Sequence, residues 1–183
     1  MFQVERILGS PVLLESGRSV GKVKDFWFDE FWRPVAVILD RHVRFGWFRK
    51  LSRIVYWKDI VRIGEDALLI RSGAEIATKH GKELLRTFHT GVVRLKEMPV
   101  YTVEGQYLGK VSDVYFQAAE GTQVIGYELT DGFLADVLEG RRKLFLPEGP
   151  EQATLGEDAI VVPASCERIL ARDPTWKATG EDG

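Results

Sequence analysis

One cysteine, Cys166, stands in the whole chain of 183 residues. That excludes an internal disulfide and a cysteine-based metal cluster. Histidine is nearly as scarce. His42, His80 and His89 are scattered, and none has a second histidine or a cysteine at close spacing, whereas zinc needs three or four converging ligands. No metal site is expected. Long apolar runs are missing too, since no stretch approaches the roughly 18 uninterrupted apolar residues that read as a membrane-spanning helix. The start, Met1-Phe2-Gln3-Val4-Glu5-Arg6, lacks the basic and apolar regions of a signal peptide, so a cytoplasmic location is expected. The glycines match neither the dinucleotide fingerprint nor a phosphate loop. With no cofactor loop, no metal set and no nucleophile beside a base, we expect no cofactor and no enzymatic activity. Charge of one sign is also lacking: 25 basic residues face 27 acidic ones, for a net charge of −2. A chain-wide polyanion binder is thereby excluded, and any such activity must come from a local patch.

What the chain does have is an internal repeat. Gly17-Arg18-Ser19-Val20-Gly21-Lys22-Val23-Lys24-Asp25 returns as Gly105-Gln106-Tyr107-Leu108-Gly109-Lys110-Val111-Ser112-Asp113, an offset of 88 residues. Arg6-Ile7 and Pro11-Val12 return at the same offset as Arg94-Leu95 and Pro99-Val100. Gly64-Glu65-Asp66-Ala67 returns as Gly156-Glu157-Asp158-Ala159, at an offset of 92. Matches held in order with a few residues inserted between them mark a duplicated domain. Two units of about 70 to 75 residues follow, each marginal alone, so a shared interface between them is expected.

Each unit reads as strands and turns. Val23-Lys24-Asp25-Phe26-Trp27-Phe28 and Val111-Ser112-Asp113-Val114-Tyr115-Phe116 are rich in strand formers. Val35-Ala36-Val37-Ile38-Leu39 reads as a short buried strand, with Ile125-Gly126-Tyr127-Glu128-Leu129 as its counterpart. Arg53 to Trp57, Lys143 to Leu146, Ala67 to Ile70 and Ala159 to Val162 complete the sets. That many short strands in so few residues suggest a small barrel, since closure removes exposed edges. The fold class is therefore all-β: two small barrels, with repeat one over residues 1–72 and repeat two over 91–164. Between them, residues 73–90 are expected to be helical, because Ser72-Gly73-Ala74-Glu75 has the capping-box spacing and Ile76, Leu84, Leu85 and Phe88 suggest an apolar stripe. Residues 165–183 are expected to hold a short helix, with Cys166 buried at its start, and a fraying polar tail.

The repeat unit resembles the PRC-barrel domain. The residues that carry the resemblance are Gly21 to Asp25 and Gly109 to Asp113, the apolar strand after each, the closing Gly-Glu-Asp-Ala turns, and Met98-Pro99-Val100-Tyr101-Thr102. It covers nearly all of residues 3–164. Domains of this family occur in a photosynthetic reaction-centre subunit, in the bacterial factor that matures the small ribosomal subunit, and in small bacterial proteins. The resemblance implies a compact barrel in a bacterial cell that binds other macromolecules, and no reaction.

Asp25 and Asp113 tempt as a catalytic pair, but paired carboxylates must converge within about 10 Å. Two matched positions of two barrels read better as strand positions whose carboxylates accept backbone N–H groups. Gly21 and Gly109, at the entrance to matched strands, and Gly64 and Gly156, in matched turns, are likewise read as structural. One stretch separates the halves. From Arg41 to Lys58 there are six basic residues, Arg41, Arg44, Arg49, Lys50, Arg53 and Lys58, with aromatics including Trp47 and Phe48 among them and one acid, Asp59, only after them. Such a loop can bind RNA or a ribosome or an anionic membrane surface; equally, its rings fill the barrel and its cations are solvated. Aromatics also crowd Phe26-Trp27-Phe28 and Phe31-Trp32, and alternate residues of one strand cannot all face inward. Trp27, Phe31 and Trp32 are therefore candidates for an exposed contact with a protein partner or with a second copy of the chain. The expected role is a non-catalytic adaptor or scaffold, with RNA or ribosome association and a peripheral place in a membrane complex as alternatives.

Overall fold

The computed structural model describes residues 2–40, 51–80, 83–117, 123–132, 141–146 and 153–169. The chain opens with β1 (Phe2–Gln3) and a single helical turn, α1 (Val4–Ile7). Repeat one follows as β2 (Pro11–Leu14), β3 (Ser19–Phe28), β4 (Pro34–Leu39), β5 (Leu51–Tyr56), β6 (Ile60–Ile63) and β7 (Leu68–Ile70). Two strands bridge the repeats, β8 (Ile76–His80) and β9 (Arg86–Thr87). Repeat two comprises β10 (Val93–Arg94), β11 (Pro99–Thr102), β12 (Tyr107–Gln117), β13 (Gln123–Thr130), β14 (Arg142–Phe145), β15 (Thr154–Leu155) and β16 (Ile160–Val162). A short 3-10 helix, Ala164–Ile169, comes last and buries Cys166.

The duplication holds strand by strand. One half-barrel sheet runs β6-β7-β2-β3-β4-β5, and the other runs β15-β16-β11-β12-β13-β14. The registers match as well. Val12 faces Gly21 across β2 and β3, as Val100 faces Gly109 across β11 and β12, with a bulge just after each. Val12 also lies beside Leu68 on parallel β7, as Val100 lies beside Ile160 on parallel β16. A second pair of bulges falls at Val23–Asp25 and Val111–Asp113. Bulges re-aim side chains and sharpen twist, and here they lie beside the two aspartates, which accept N–H groups from segments outside their own repeats.

Those segments cross over. The strand ahead of repeat one, β1, pairs with β12 of repeat two, placing Phe2 opposite Phe116. The strand ahead of repeat two, β9, pairs with β3 of repeat one, placing Arg86 opposite Phe28. Phe28 and Phe116 are equivalent positions, so each repeat lends its leading segment to the other. The expected shared interface is this exchange, and it produces one continuous core. Val4, Phe28, Trp32, Phe88, Leu95, Val114, Phe116 and Tyr127 all belong to it. Phe28 and Phe116 stack on one another with centroids 5.9 Å apart and planes inclined by 7°. Phe2 then stacks on Phe116 at 5.4 Å and on Trp57 at 6.3 Å. Each buried ring contributes roughly 1.5–3 kcal/mol by leaving water, and an aromatic pair adds about 0.5–1.5 kcal/mol.

The connection between the repeats corrects the expected helix. Ile76–His80 extends the first sheet beyond β5, and Arg86–Thr87 is a strand as well. Ser72 does not cap a helix; its backbone N–H donates to Glu15 Oε2 at 3.1 Å. The apolar residues over 76–88 part company: Phe88 enters the shared core with Ile76 against it, Leu85 is exposed, and Leu84 joins a second, smaller cluster. Ala36, Ile38, Ile54 and Leu84 form it, with Trp27, Tyr56 and Ala77 against it. An open edge on β5 offers backbone partners that a short isolated helix cannot match.

Candidate functional site

The aromatic turn after β3 is where the exposed surface of repeat one begins. Asp29 sets its shape: Oδ1 accepts the N–H of Phe31 at 2.8 Å and that of Arg33 at 2.9 Å, and Oδ2 accepts Arg33 Nε at 2.8 Å. Aspartate favours such turns because its side chain can bond the backbone two residues on. The guanidinium of Arg33 lies 5.1 Å from the centre of the Phe31 ring. Phe31 is nonetheless 62% exposed, held out from the barrel on a turn fixed by three hydrogen bonds to one carboxylate.

Its neighbour points the other way. The sequence groups Trp32 with Phe31 as an exposed candidate, but Trp32 is buried, packing on Phe28 at 5.6 Å. The cause is local: Trp32 has φ of 57°, and this left-handed step swings its side chain back under the turn. Non-glycine residues reach that region at some cost. Its Nε1 has no acceptor among the described residues. Trp27 is half-buried, packed against the small cluster of Ala36, Ile38, Ile54 and Leu84.

The register of β9 and β10 brings two further exposed apolar residues to this end of the sheet. Arg86 faces Phe28, so Leu85 falls level with the start of the turn; Val93 N–H donates to Leu85 O at 3.0 Å, which brings Val92 alongside. Leu85 is 38% exposed and Val92 is 77% exposed. Arg86 also reaches Glu157 of the second repeat, with Nη2 3.4 Å from Oε1. Nothing in the sequence assigns Leu85 and Val92 to this surface, because they reach it only through the crossing of β9.

Arg41, Arg44, Trp47, Phe48, Arg49 and Lys50 lie outside the described residues. Arg53 is half-buried on β5 opposite Leu39, with its guanidinium beside Gly21. The matching arginine of repeat two, Arg142, pairs with Asp131 and donates to the carbonyl of Leu108 at 2.6 Å, next to Gly109. Arg53 thus stands where repeat two uses an arginine to brace the glycine turn.

Gly21 and Gly109 have φ of 149° and 126°. Gly64 and Gly156 each donate their N–H to the carbonyl of the following Ala67 or Ala159 at 2.9 Å. Asp25 is fully buried and accepts backbone N–H groups from Phe26, His89 and Thr90 and the hydroxyl of Thr90. Asp113 accepts the N–H groups of Val114 at 2.7 Å and Glu5 at 3.1 Å. Each aspartate therefore clamps the segment that crosses over from the other repeat.

A polar cluster is peculiar to the second repeat. Glu128 accepts from Tyr115 OH at 2.9 Å, Arg141 Nη1 at 2.9 Å, Gln3 Nε2 at 3.3 Å and Ser112 Oγ at 3.3 Å. Burial, then the negative Glu128, pushes the Tyr115 hydroxyl above its ordinary range. The positions corresponding to Ser112, Tyr115 and Glu128 in repeat one carry Lys24, Trp27 and Ile38. The signal for the cluster is the acid at position 128, set in an otherwise apolar strand. Beside it, Phe2, Gln3, Arg6, Ile7, Ile63, Gly64, Glu65 and Tyr115 line a cleft of about 240 Å³ at the seam between the repeats.

Taken together, the arrangement is one of clamps and surfaces: the buried carboxylates are occupied by donors from the chain itself. Among the described residues no group of three or more metal-type side chains converges. The PRC-barrel domain matches the chain twice, over residues 1–76 and 91–168. No curated protein matches it. PRC-barrel domains are protein-interaction, scaffold-type domains. With both repeats matched and the same strand order in each, the chain belongs to the PRC-barrel family as a tandem pair of its domains.

Proposed function

We propose that the protein is a non-catalytic adaptor of the bacterial cytoplasm that binds a protein partner through the surface around Phe31, Leu85 and Val92. The observation that carries this reading is the fixed exposure of Phe31. An aromatic ring held outward by Asp29 and Arg33 loses little freedom on binding, and pre-ordered aromatics with apolar neighbours and a charged rim are what interfaces use as anchors. The apolar neighbours here are Leu85 and Val92, and the rim is Arg33 with the Arg86–Glu157 pair.

The test is affinity capture with the wild-type chain and with the double variant Phe31→Ser/Val92→Ser, each with and without nuclease. The adaptor reading expects a protein captured in the presence of nuclease and lost in the double variant. Capture that nuclease abolishes would replace it with RNA association, for which the basic stretch 41–58 is the source. Equal capture by both variants would move the contact away from this surface.

A further inference from the structure

We propose that the cleft at the seam between the repeats takes the guanidinium of an arginine side chain from a protein partner, held by Glu65. The inference does not rest on the surface around Phe31, Leu85 and Val92. It uses none of those residues, and its probe is a blocked peptide instead of a captured protein.

The two seams are built from equivalent residues. β1 and β9 cross over at matched places, so Phe2 lies opposite Phe116 and Arg86 lies opposite Phe28. Gln3 and Thr87 follow, opposite Tyr115 and Trp27. The other walls correspond as well. Arg6 and Ile7 match Arg94 and Leu95 at an offset of 88, and Ile63, Gly64 and Glu65 match Leu155, Gly156 and Glu157 at an offset of 92. At the second seam the chain supplies its own cation, since Arg86 Nη2 lies 3.4 Å from Glu157 Oε1. At the first seam that position is Phe2, whose ring turns onto Phe116 and Trp57. Glu65 therefore lacks the arginine that its equivalent has. Among the described residues neither Glu65 nor Arg6 has an ion-pair partner.

The place left without an arginine is also open. The cleft there measures about 240 Å³, with Phe2, Ile7 and Ile63 as its apolar walls and Arg6, Glu65 and Tyr115 among its polar ones. Sites for small organic ligands enclose about 300–1,000 Å³, so this one suits a single side chain. Tyr115 is already engaged: its hydroxyl donates to Glu128 and accepts from Gln3. Glu65 and Arg6 are left to select a ligand by charge. The second seam decides between them. Arg94 is exposed there, as Arg6 is here, yet the side chain that enters is a cation and it goes to the acid. An arginine fits these walls. Its alkyl stem can lie along Ile63 and Phe2 while its planar, weakly hydrated head forks onto the carboxylate. Arginine is also among the residues that anchor protein interfaces.

The experiment is an NMR titration with the blocked tripeptide acetyl-Gly-Arg-Gly-amide, read at the amides of Ile63, Gly64 and Glu65. Its citrulline counterpart has the same shape without the charge, and its glutamate counterpart has the opposite charge. Wild type should bind the arginine peptide in the millimolar range, roughly fivefold more tightly than the citrulline peptide. Glu65→Gln should lose that preference, and Arg6→Gln should bind the arginine peptide more tightly. Arg86→Phe gives the second seam the residue of the first, so it should gain a second response, at Gly156 and Glu157, that wild type lacks. Several results would overturn the proposal: no saturable shift, an equal response to citrulline, binding unchanged in Glu65→Gln, or a folded Arg86→Phe without the second response. A preference for the glutamate peptide that Arg6→Gln abolishes would also overturn it and make the cleft an anion site. Should Arg86→Phe not fold, Glu65→Gln and Arg6→Gln, both at exposed positions, decide.

Discussion

Phe28 and Phe116 are the same residue of the two repeats, and they lie on each other: their rings are stacked 5.9 Å apart with a 7° tilt. Each is 1% exposed and each sits at the strand position where the other repeat's leading segment pairs. The junction between the repeats is thus built from equivalent elements meeting face to face. A contact of this kind couples the two halves, because neither ring can leave without opening a cavity in the core they share.

The first prediction follows. Phe28→Ala and Phe116→Ala should each cost about 3–5 kcal/mol in stability, the usual range for deleting a buried ring. The double variant should cost less than the sum, with a coupling of roughly 0.5–1.5 kcal/mol from the lost stack. Unfolding should also remain a single cooperative transition. Denaturant titration of the four proteins checks both points, and two separated transitions would show that the repeats fold independently.

A second prediction concerns the matched glycines. A Cβ at Gly109 would meet Asp131 Oδ1 at 3.0 Å and the carbonyl oxygen of Thr130 at 3.1 Å; at Gly21 the nearest atom is Asp40 Oδ1, at 3.0 Å, on a side chain. Both backbones lie at positive φ, where a branched residue is strained. Gly21→Val and Gly109→Val should each lose about 1–3 kcal/mol. Gly109→Val should lose the more, since backbone yields less readily than a side chain. Thermal melts of the two variants give the ranking.

These glycines also mark how far the sequence can be read. The repeat is visible because backbone geometry at Gly21 and Gly109 restricts the residue, and a restriction met twice leaves the same letters twice. The strands are visible because their branched and aromatic residues alternate or run together. The crossing is not visible. Phe2 finds Phe116 and Arg86 finds Phe28 through pairings remote in sequence, with no local pattern to announce them. The helical reading of 73–90 fails for the same reason, because the open edge of β5 decides that segment. Trp32 shows the third limit: its own left-handed backbone sends its ring inward, while its neighbour Phe31 stays exposed as expected. Leu85 and Val92 join Phe31 only once β9 is placed.

The third prediction turns on Glu97. It has φ of 68° and stands where repeat one has Gly9, whose φ is 84°. The two turns are otherwise alike, since Gly9 N–H donates to Val23 O and Glu97 N–H to Val111 O. A left-handed conformation costs an L-residue roughly 1–2 kcal/mol, and glycine offsets part of that through its greater unfolded-state freedom, about 0.5–1 kcal/mol. Glu97→Gly should therefore be neutral or stabilising by up to about 1 kcal/mol, and Glu97→Val should destabilise, because a β-branched side chain fits the left-handed region worse than glutamate does. Equal stability of the two variants in denaturant would show that the backbone relaxes out of this turn.

The last prediction concerns Asp25. Its carboxylate gathers the amides of Phe26, His89 and Thr90 and the Thr90 hydroxyl, the last at 2.6 Å, in a fully buried setting. Removing the acceptor leaves several donors without a partner in a place water reaches poorly, and an unmet buried donor costs about 1–3 kcal/mol. Thr87 Oγ1 accepts from Thr90 and Gly91 and so offsets part of the loss. Asp25→Ala should therefore lower stability by roughly 2–4 kcal/mol. Asp113→Ala removes an acceptor from only two donors and relieves a carboxyl whose charged form burial disfavours, so its loss should be smaller. Hydrogen exchange separates the two further. Asp25→Ala should raise exchange at His89, Thr90 and Gly91, and Asp113→Ala should raise it at Glu5. If both variants raised exchange evenly over the whole chain, the aspartates would not be local clamps on the crossing segments, and the exchange between repeats would be held by the aromatic stack alone.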